Sequence, residues 1–119
     1  MKLNHDLIRD LLLAIEEISN GHTNFDIEYL AQEHLPQYGV EEVEYHNRQL
    51  AQAGLIKVAN KNSQYVIDLT WNGHQYIASI REQSVWNNTK KLVQPFGVVT
   101  LDLIKDVATK FVAKSLGIE

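Results

Sequence analysis

Cysteine is absent from the 119 residues, which excludes disulfides, thiolate metal sites and cysteine nucleophiles and suits a reducing compartment. No apolar run approaches the ~20 residues a membrane-spanning helix needs. The opening Met1-Lys2-Leu3-Asn4-His5-Asp6 is polar and lacks the apolar centre of a secretory signal. A cytoplasmic protein without a membrane segment is therefore expected. Proline is scarce: Pro36 and Pro95 are the only two, and each falls where a helix is expected to end. Basic residues are scarce in the first half. Residues 1–54 carry ten Asp or Glu against Lys2, Arg9 and Arg48, a local net charge of -7, whereas residues 55–119 carry eight Lys or Arg against five acids, a net of +3. These are either two solvated surfaces or two halves that pair, within a chain or between two.

What is present is ordinary for a folded domain. The apolar fraction is 45%, and the length suffices for one core. There is no internal repeat and no low-complexity segment. Leu7, Leu11, Ile15 and Ile18, flanked by Ile8 and Leu12, form one stripe at helical spacing. The first helix is thus expected from Asn4 to Ser19, with Asn4 as N-cap and Asn20-Gly21 as the stop. Residues 22–39 read two ways: Phe25, Ile27 and Tyr29 alternate like a strand, while Ile27, Leu30 and Ala31 have helix spacing behind a capping Asp26. A short helix from Ile27 to His34 is the reading adopted. A third helix is expected from Glu41 to Ala53, with Val43, Asn47 and Leu50 inward and Gly54 as its stop.

Two β-prone runs follow, Leu55–Ala59 and Tyr65–Leu69, split by Asn60-Lys61-Asn62-Ser63. They predict a two-stranded antiparallel hairpin, with Ile56 and Val58 on one face and Tyr65, Ile67 and Leu69 sharing a face on the return strand. Thr70 then caps a helix carrying Trp71, Ile77, Ile80 and Val85, continuing through Leu92 and Val93 as one long helix or two joined near Gln83-Ser84. Trp71 is expected to be mostly buried, because it sits in the first turn of a helix that must cover the hairpin and the third helix. Pro95 and Gly97 break the pattern, and a last helix capped by Thr100 ends at Gly117. The fold class is mainly α with a small two-stranded wing: a winged helix-turn-helix over residues 1–94, and a C-terminal helical extension over 95–119 that either joins the domain or serves dimerisation.

The junction Leu69-Thr70-Trp71-Asn72-Gly73 resembles the Leu-Thr-x-x-Gly found after the wing of many bacterial winged-helix regulators. A wider set of segments carries a second resemblance. It comprises Asp6-Leu7-Ile8-Arg9 with Ile15-Glu16-Glu17, Tyr45-His46, Ala53-Gly54-Leu55-Ile56, Leu69 to His74, and Ile80-Arg81 followed by Val85-Trp86. Together these look like a family of short bacterial and prophage-encoded proteins, a domain of unknown function. That resemblance implies a winged-helix-like core and a phage or mobile-element setting. It implies no catalytic or binding residues, and residues 22–39 are longer here than the family's usual connection.

The functional signals are weaker than the fold signals. If the third helix reads DNA, the candidate contacts are Arg48, Gln49 and Gln52 on it and Lys57 and Lys61 on the hairpin. Glu41, Glu42 and Glu44 stand at the end of that helix that would approach phosphate, so only weak, salt-sensitive binding is expected. The five histidines, His5, His22, His34, His46 and His74, lack the spacing of a zinc motif, and no metal or cofactor is expected. His46 and His74, which both flank the hairpin, are expected to be packed and hydrogen-bonded. The sequence contains no nucleophile elbow, phosphate loop or metalloprotease motif, so an enzyme is not expected. The stripe Leu101, Ile104, Val107, Ala108, Phe111 and Val112 on the last helix either packs on its own chain or pairs with a second one, and a symmetric homodimer with the last helices in its interface is the reading adopted. The expected role is that of a binding module: a transcriptional regulator acting on DNA, or an adaptor acting on a protein partner.

Overall fold

A computed structural model describes residues 1–97 and 99–118. Among these residues the elements run α1 (His5–Ile18), β1 (Phe25–Asp26), α2 (Ile27–His34), α3 (Val40–Gln52), β2 (Ile56–Val58), β3 (Tyr65–Leu69), α4 (Trp71–Ile80), α5 (Gln83–Val93) and α6 (Leu101–Ser115), with a 3-10 turn at Gln94–Phe96. The chain divides into two compact units inside α4, Met1–His74 and Gln75–Glu119. The boundary expected at residue 94 falls inside the second unit. None of the described helices is long and apolar enough to cross a membrane.

In the first unit, α1 starts where its cap demands: the Asn4 side chain accepts the Leu7 N–H at 3.1 Å. Its apolar stripe is fully used, with Leu7, Ile8, Leu11, Leu12 and Ile15 all buried. This face packs on α2, α3 and β3. The ambiguity at residues 22–39 resolves both ways. Phe25 and Asp26 form a short strand, and Asp26 then caps α2 by accepting the Glu28 N–H at 2.9 Å.

That strand corrects the two-stranded expectation. The sheet has three strands in the order β1-β3-β2, all antiparallel. The alternation of Phe25, Ile27 and Tyr29 offers a strand here, but only Phe25-Asp26 adopt one, and Ile27 and Tyr29 belong to α2. The expected side-chain alternation in β3 is also corrected. Ile56 pairs with Leu69 and Lys57 with Asp68, but Val58 pairs with Val66, so Ile67 is an extra residue on β3. A bulge of this kind shifts every later side chain to the other face. Val66 and Leu69 are accordingly buried, while Tyr65 is exposed and Ile67 half-buried. The Ser19 hydroxyl donates to the Ile67 carbonyl at 2.7 Å and so satisfies the bulged backbone from the end of α1.

The Leu69-Thr70-Trp71-Asn72-Gly73 junction has a structural task. The Thr70 hydroxyl accepts the Gly73 N–H at 3.1 Å and donates to the Gly54 carbonyl at 2.5 Å, while the Thr70 N–H donates to the Leu55 carbonyl at 3.0 Å. One residue thereby caps α4 and ties it to the end of α3. Trp71 is not buried as expected but 76% exposed. It lies two residues, or about 200°, from Gly73 around the helix, on the side opposite the tight contact.

In the second unit, the helical pattern after Thr70 is two helices. Glu82 caps α5 by accepting the Val85 N–H at 2.9 Å, and the Ser84 hydroxyl also donates to it. The buried side chains here are Tyr76, Ile77, Ile80, Trp86, Val93, Ile104 and Ala108. α6 packs along α5 and is capped by Thr100, which accepts the Leu103 N–H at 3.1 Å.

The Tyr76 hydroxyl is buried with no hydrogen-bond partner, and burial pushes its ionisation well above the usual tyrosine value of 10. A tyrosine pKa raised on folding leaves stability unaffected below pH ~10 and lowers it above, because only the unfolded chain can then lose the proton. Tyr38, raised by burial and by its hydrogen bond to Asp10, acts in the same direction. The thermal midpoint should fall as pH rises beyond ~10, and less steeply in Tyr76→Phe. Removing an unsatisfied hydroxyl should otherwise leave stability unchanged or raise it by ~1 kcal/mol. A clear loss of stability in Tyr76→Phe at neutral pH would contradict this.

Candidate interaction surface on α3 and the hairpin

The inner face of α3 is fixed by Val43, His46, Asn47 and Leu50, all buried. Two of these are polar and lock the helix in place. His46 Nε2 accepts the Asn4 N–H at 2.8 Å, and its Nδ1 lies 2.8 Å from the Glu42 carbonyl. Since Nε2 accepts, Nδ1 must carry the proton and donate to that carbonyl, which selects one neutral tautomer. Asn47 donates from Nδ2 to the Ser63 carbonyl at 2.7 Å. Ser63 is buried with φ at 62°, a left-handed conformation that ordinary residues seldom adopt. Thus α3 holds the hairpin loop through a backbone carbonyl that only this strained turn presents.

The loop is also ordered from within. Asn60 Oδ1 accepts the Tyr65 N–H at 3.1 Å, Asn62 Oδ1 accepts the Gln64 N–H at 3.0 Å, and the Ser63 N–H donates to the Asn60 carbonyl at 3.1 Å. The start of α2 is joined to the same place, because the Ile27 N–H donates to the Gln64 carbonyl at 2.9 Å. The rigid loop and α3 enclose a shallow hollow of about 180 Å³, lined by Ile27, Glu44, Arg48, Asn62, Ser63 and Gln64.

The outer face of α3 reads Glu41, Tyr45, Arg48 and Gln52 at successive helical turns, of which Glu41, Arg48 and Gln52 are exposed. Of the sequence candidates, Arg48 is brought together with the hairpin loop in this hollow. Gln49 is half-buried, Gln52 lies one turn further toward the end of α3, Lys57 is exposed on β2 and Lys61 is exposed in the loop. Sequence reasoning missed Tyr45, Asn62 and Gln64. Tyr45 shares the Arg48 face at i+3, a signal that was available; the places of Asn62 and Gln64 depend on Ser63's backbone, for which no residue-type signal exists. Glu41 and Glu42 occupy the first turn of α3, where carboxylates favour the helix dipole, and Gly39 offers no side-chain cap. The first unit carries eleven carboxylates against five Lys or Arg.

The histidines do not converge. His74 Nδ1 lies 3.9 Å from a Glu16 carboxylate oxygen, and His46 is used as above. Among the described residues no group of three or more His, Asp or Glu is placed to hold a metal ion. Of the six residues in the α6 stripe, Ile104 and Ala108 are buried, while Leu101, Val107, Phe111 and Val112 are half-buried.

Comparison with known proteins identifies a family. Residues 2–99 match the family described as Hypothetical protein (DUF2513). The chain belongs to this family. A relative from Haemophilus influenzae (strain ATCC 51907 / DSM 11121 / KW20 / Rd), described as an uncharacterized protein, is 33% identical over 130 aligned positions, covering 98% of this chain and 99% of the relative. No solved structure matches the chain. The DUF2513 match takes in the whole α3–hairpin surface, and it ends before α6 begins.

Proposed function

We propose that the chain is a non-enzymatic winged-helix interaction module whose α3–hairpin face takes a protein partner in preference to duplex DNA. The observation that carries this reading is the cluster of carboxylates at the N-terminal end of a helix in the recognition position. α2 and α3 pack together across a short connection, as in a helix-turn-helix, and the β2–β3 hairpin follows α3 directly as a wing would. In such a motif the N-terminal turns of the second helix approach the base edges. Here those turns carry Glu41, Glu42 and Glu44, and the cations on the face reduce to Arg48, Lys57 and Lys61. Duplex binding rests on several Lys or Arg contacts to phosphate, so three cations beside three carboxylates favour another kind of surface. Tyr45, Arg48 and the amides of Asn62 and Gln64 supply the aromatic, guanidinium and hydrogen-bonding groups typical of protein interfaces.

The second reading, a regulator acting on DNA, is favoured by the same helix–hairpin arrangement and by Arg48, Lys57 and Lys61. Titration with random duplex separates the two. Binding should be weaker than ~10 μM at ~150 mM salt. Submicromolar binding that is lost in Arg48→Ala or Lys61→Ala would establish DNA as the partner instead.

A further inference from the structure

The second unit carries a surface that the α3 face leaves unexplained. α5 and α6 lie side by side, and on one side of the pair an open trough of about 980 Å³ runs between them. Its apolar lining comes from Leu92 on α5, Phe96 in the 3-10 turn, and Val107 and Phe111 on α6. Leu92 is 50% exposed and Phe96 69% exposed, so these side chains are not core residues that merely border a crevice. Among the described residues the rest of the lining is Asn88, Lys91, Lys110 and Lys114, with no carboxylate. Val107, Lys110, Phe111 and Lys114 recur at one face of α6, and Asn88, Lys91 and Leu92 at one face of α5. The trough is therefore the groove between two helices, apolar along its length and cationic at its sides.

We propose that this groove docks an acidic amphipathic helix of another protein, whose apolar stripe lies against Leu92, Phe96, Val107 and Phe111 and whose carboxylates face Lys91, Lys110 and Lys114. Helix-in-groove recognition needs this combination of an apolar seam for affinity and flanking charge for choice of partner. The trough is open along one side and is too shallow to enclose most of a small ligand, as compact ligand sites do. A second copy of the chain fits it poorly. A symmetric interface places the same patch on both sides, so three lysines would meet three lysines. An asymmetric one would need an acidic helix with a free apolar stripe, and the acidic first unit has none: the apolar faces of α1, α2 and α3 are all buried in its own core. The proposal does not depend on what the α3 face binds.

The test uses the full chain and a dye-labelled helical peptide the length of α6, 15 residues, with leucines at helical spacing and glutamates flanking them. Anisotropy at ~150 mM salt should show saturable binding. A peptide with lysine in place of every glutamate should bind at least about tenfold more weakly. Lys110→Glu combined with Lys114→Glu, both on exposed positions, should weaken the acidic peptide about tenfold or more, and so should Leu92→Asp; circular dichroism checks that each variant keeps its fold. Absent binding, equal binding of the two peptides, or binding indifferent to these substitutions overturns the proposal. Co-sedimentation with phosphatidylglycerol vesicles that displaces the peptide would make a lipid surface the occupant. A light-scattering mass near twice 13.6 kDa that returns to 13.6 kDa in Leu92→Asp would make it a second copy.

Discussion

Gly73→Ala is expected to destabilise the protein by roughly 3–4 kcal/mol, the range of the severest single substitutions. Helix propensity alone predicts the reverse, since Ala is favoured over Gly inside a helix by ~1 kcal/mol. Sterics decide the sign. A Cβ on Gly73 would stand 2.1 Å from the Leu55 carbonyl oxygen and 3.1 Å from its carbon, and both are backbone atoms that cannot rotate away. The same Leu55 oxygen accepts the Thr70 N–H, so displacing it would also strain the junction that Thr70 makes. Urea unfolding measures the effect directly. A midpoint at or above that of the parent protein would show that α4 does not approach the end of α3 as described.

The two tryptophans should behave in opposite ways. Trp86 is 1% exposed on the inner face of α5, and Lys90 sits 5.5 Å from its ring centre. Truncation to Ala removes one of the largest buried side chains and leaves a cavity, at a cost of ~3–5 kcal/mol. That is a large share of the stability of a small domain. Trp71→Ala should change stability by no more than ~0.5 kcal/mol, as expected of an exposed side chain. Thermal unfolding of the two variants side by side checks both. Equal losses, or a larger loss at Trp71, would contradict the placement of α4 and α5.

The difference between these tryptophans shows where sequence reasoning runs out. Helical spacing located α1, α2 and α6 to within a residue or so, because each has an apolar stripe and a capping side chain, Asn4, Asp26 and Thr100, that announces its start. Trp71 misleads because a place in the first turn of a covering helix does not say which side of that helix the ring is on. Counting from Gly73, whose closeness to Leu55 fixes the inner face, puts Tyr76 and Ile77 inside and Trp71 outside. The bulge at Ile67 escaped because a two-residue period assumes unbroken pairing, and nothing in the side chains of Tyr65–Leu69 marks the extra residue. The strand alternative at Phe25 is legible, but its pairing with β3 is not, because two residues paired far along the chain leave no pattern that names their partner.

The candidate surface was partly legible. Arg48 and the glutamates of α3 stand out by charge, and Asn47 falls on the helix face shared by Val43 and Leu50, which marks it as an inward polar residue needing a partner. That partner is the Ser63 carbonyl, available only because Ser63 takes a left-handed conformation, and a serine does not advertise one. The trough on the second unit was half visible. The stripe on α6 is plain in the sequence, but the structure buries Ile104 and Ala108 and leaves Val107 and Phe111 to line the groove with Leu92 and Phe96. A helical pattern shows how many apolar residues share a side of a helix, and packing decides how many of them a neighbour covers.

The most direct test of the central claim, that the α3–hairpin face is built for a protein partner, is the salt dependence of its affinity for random duplex DNA. With Arg48, Lys57 and Lys61 as the cations on that face, the logarithm of the binding constant should fall with the logarithm of salt at a slope no steeper than about -3. Affinity should be weaker than ~10 μM at ~150 mM, and Glu41→Lys with Glu44→Lys should strengthen it by removing carboxylates from the face and adding cations. A slope of about -6 or steeper with submicromolar affinity in the parent protein would mean that many more phosphates are neutralised than this face can reach, and would contradict the account.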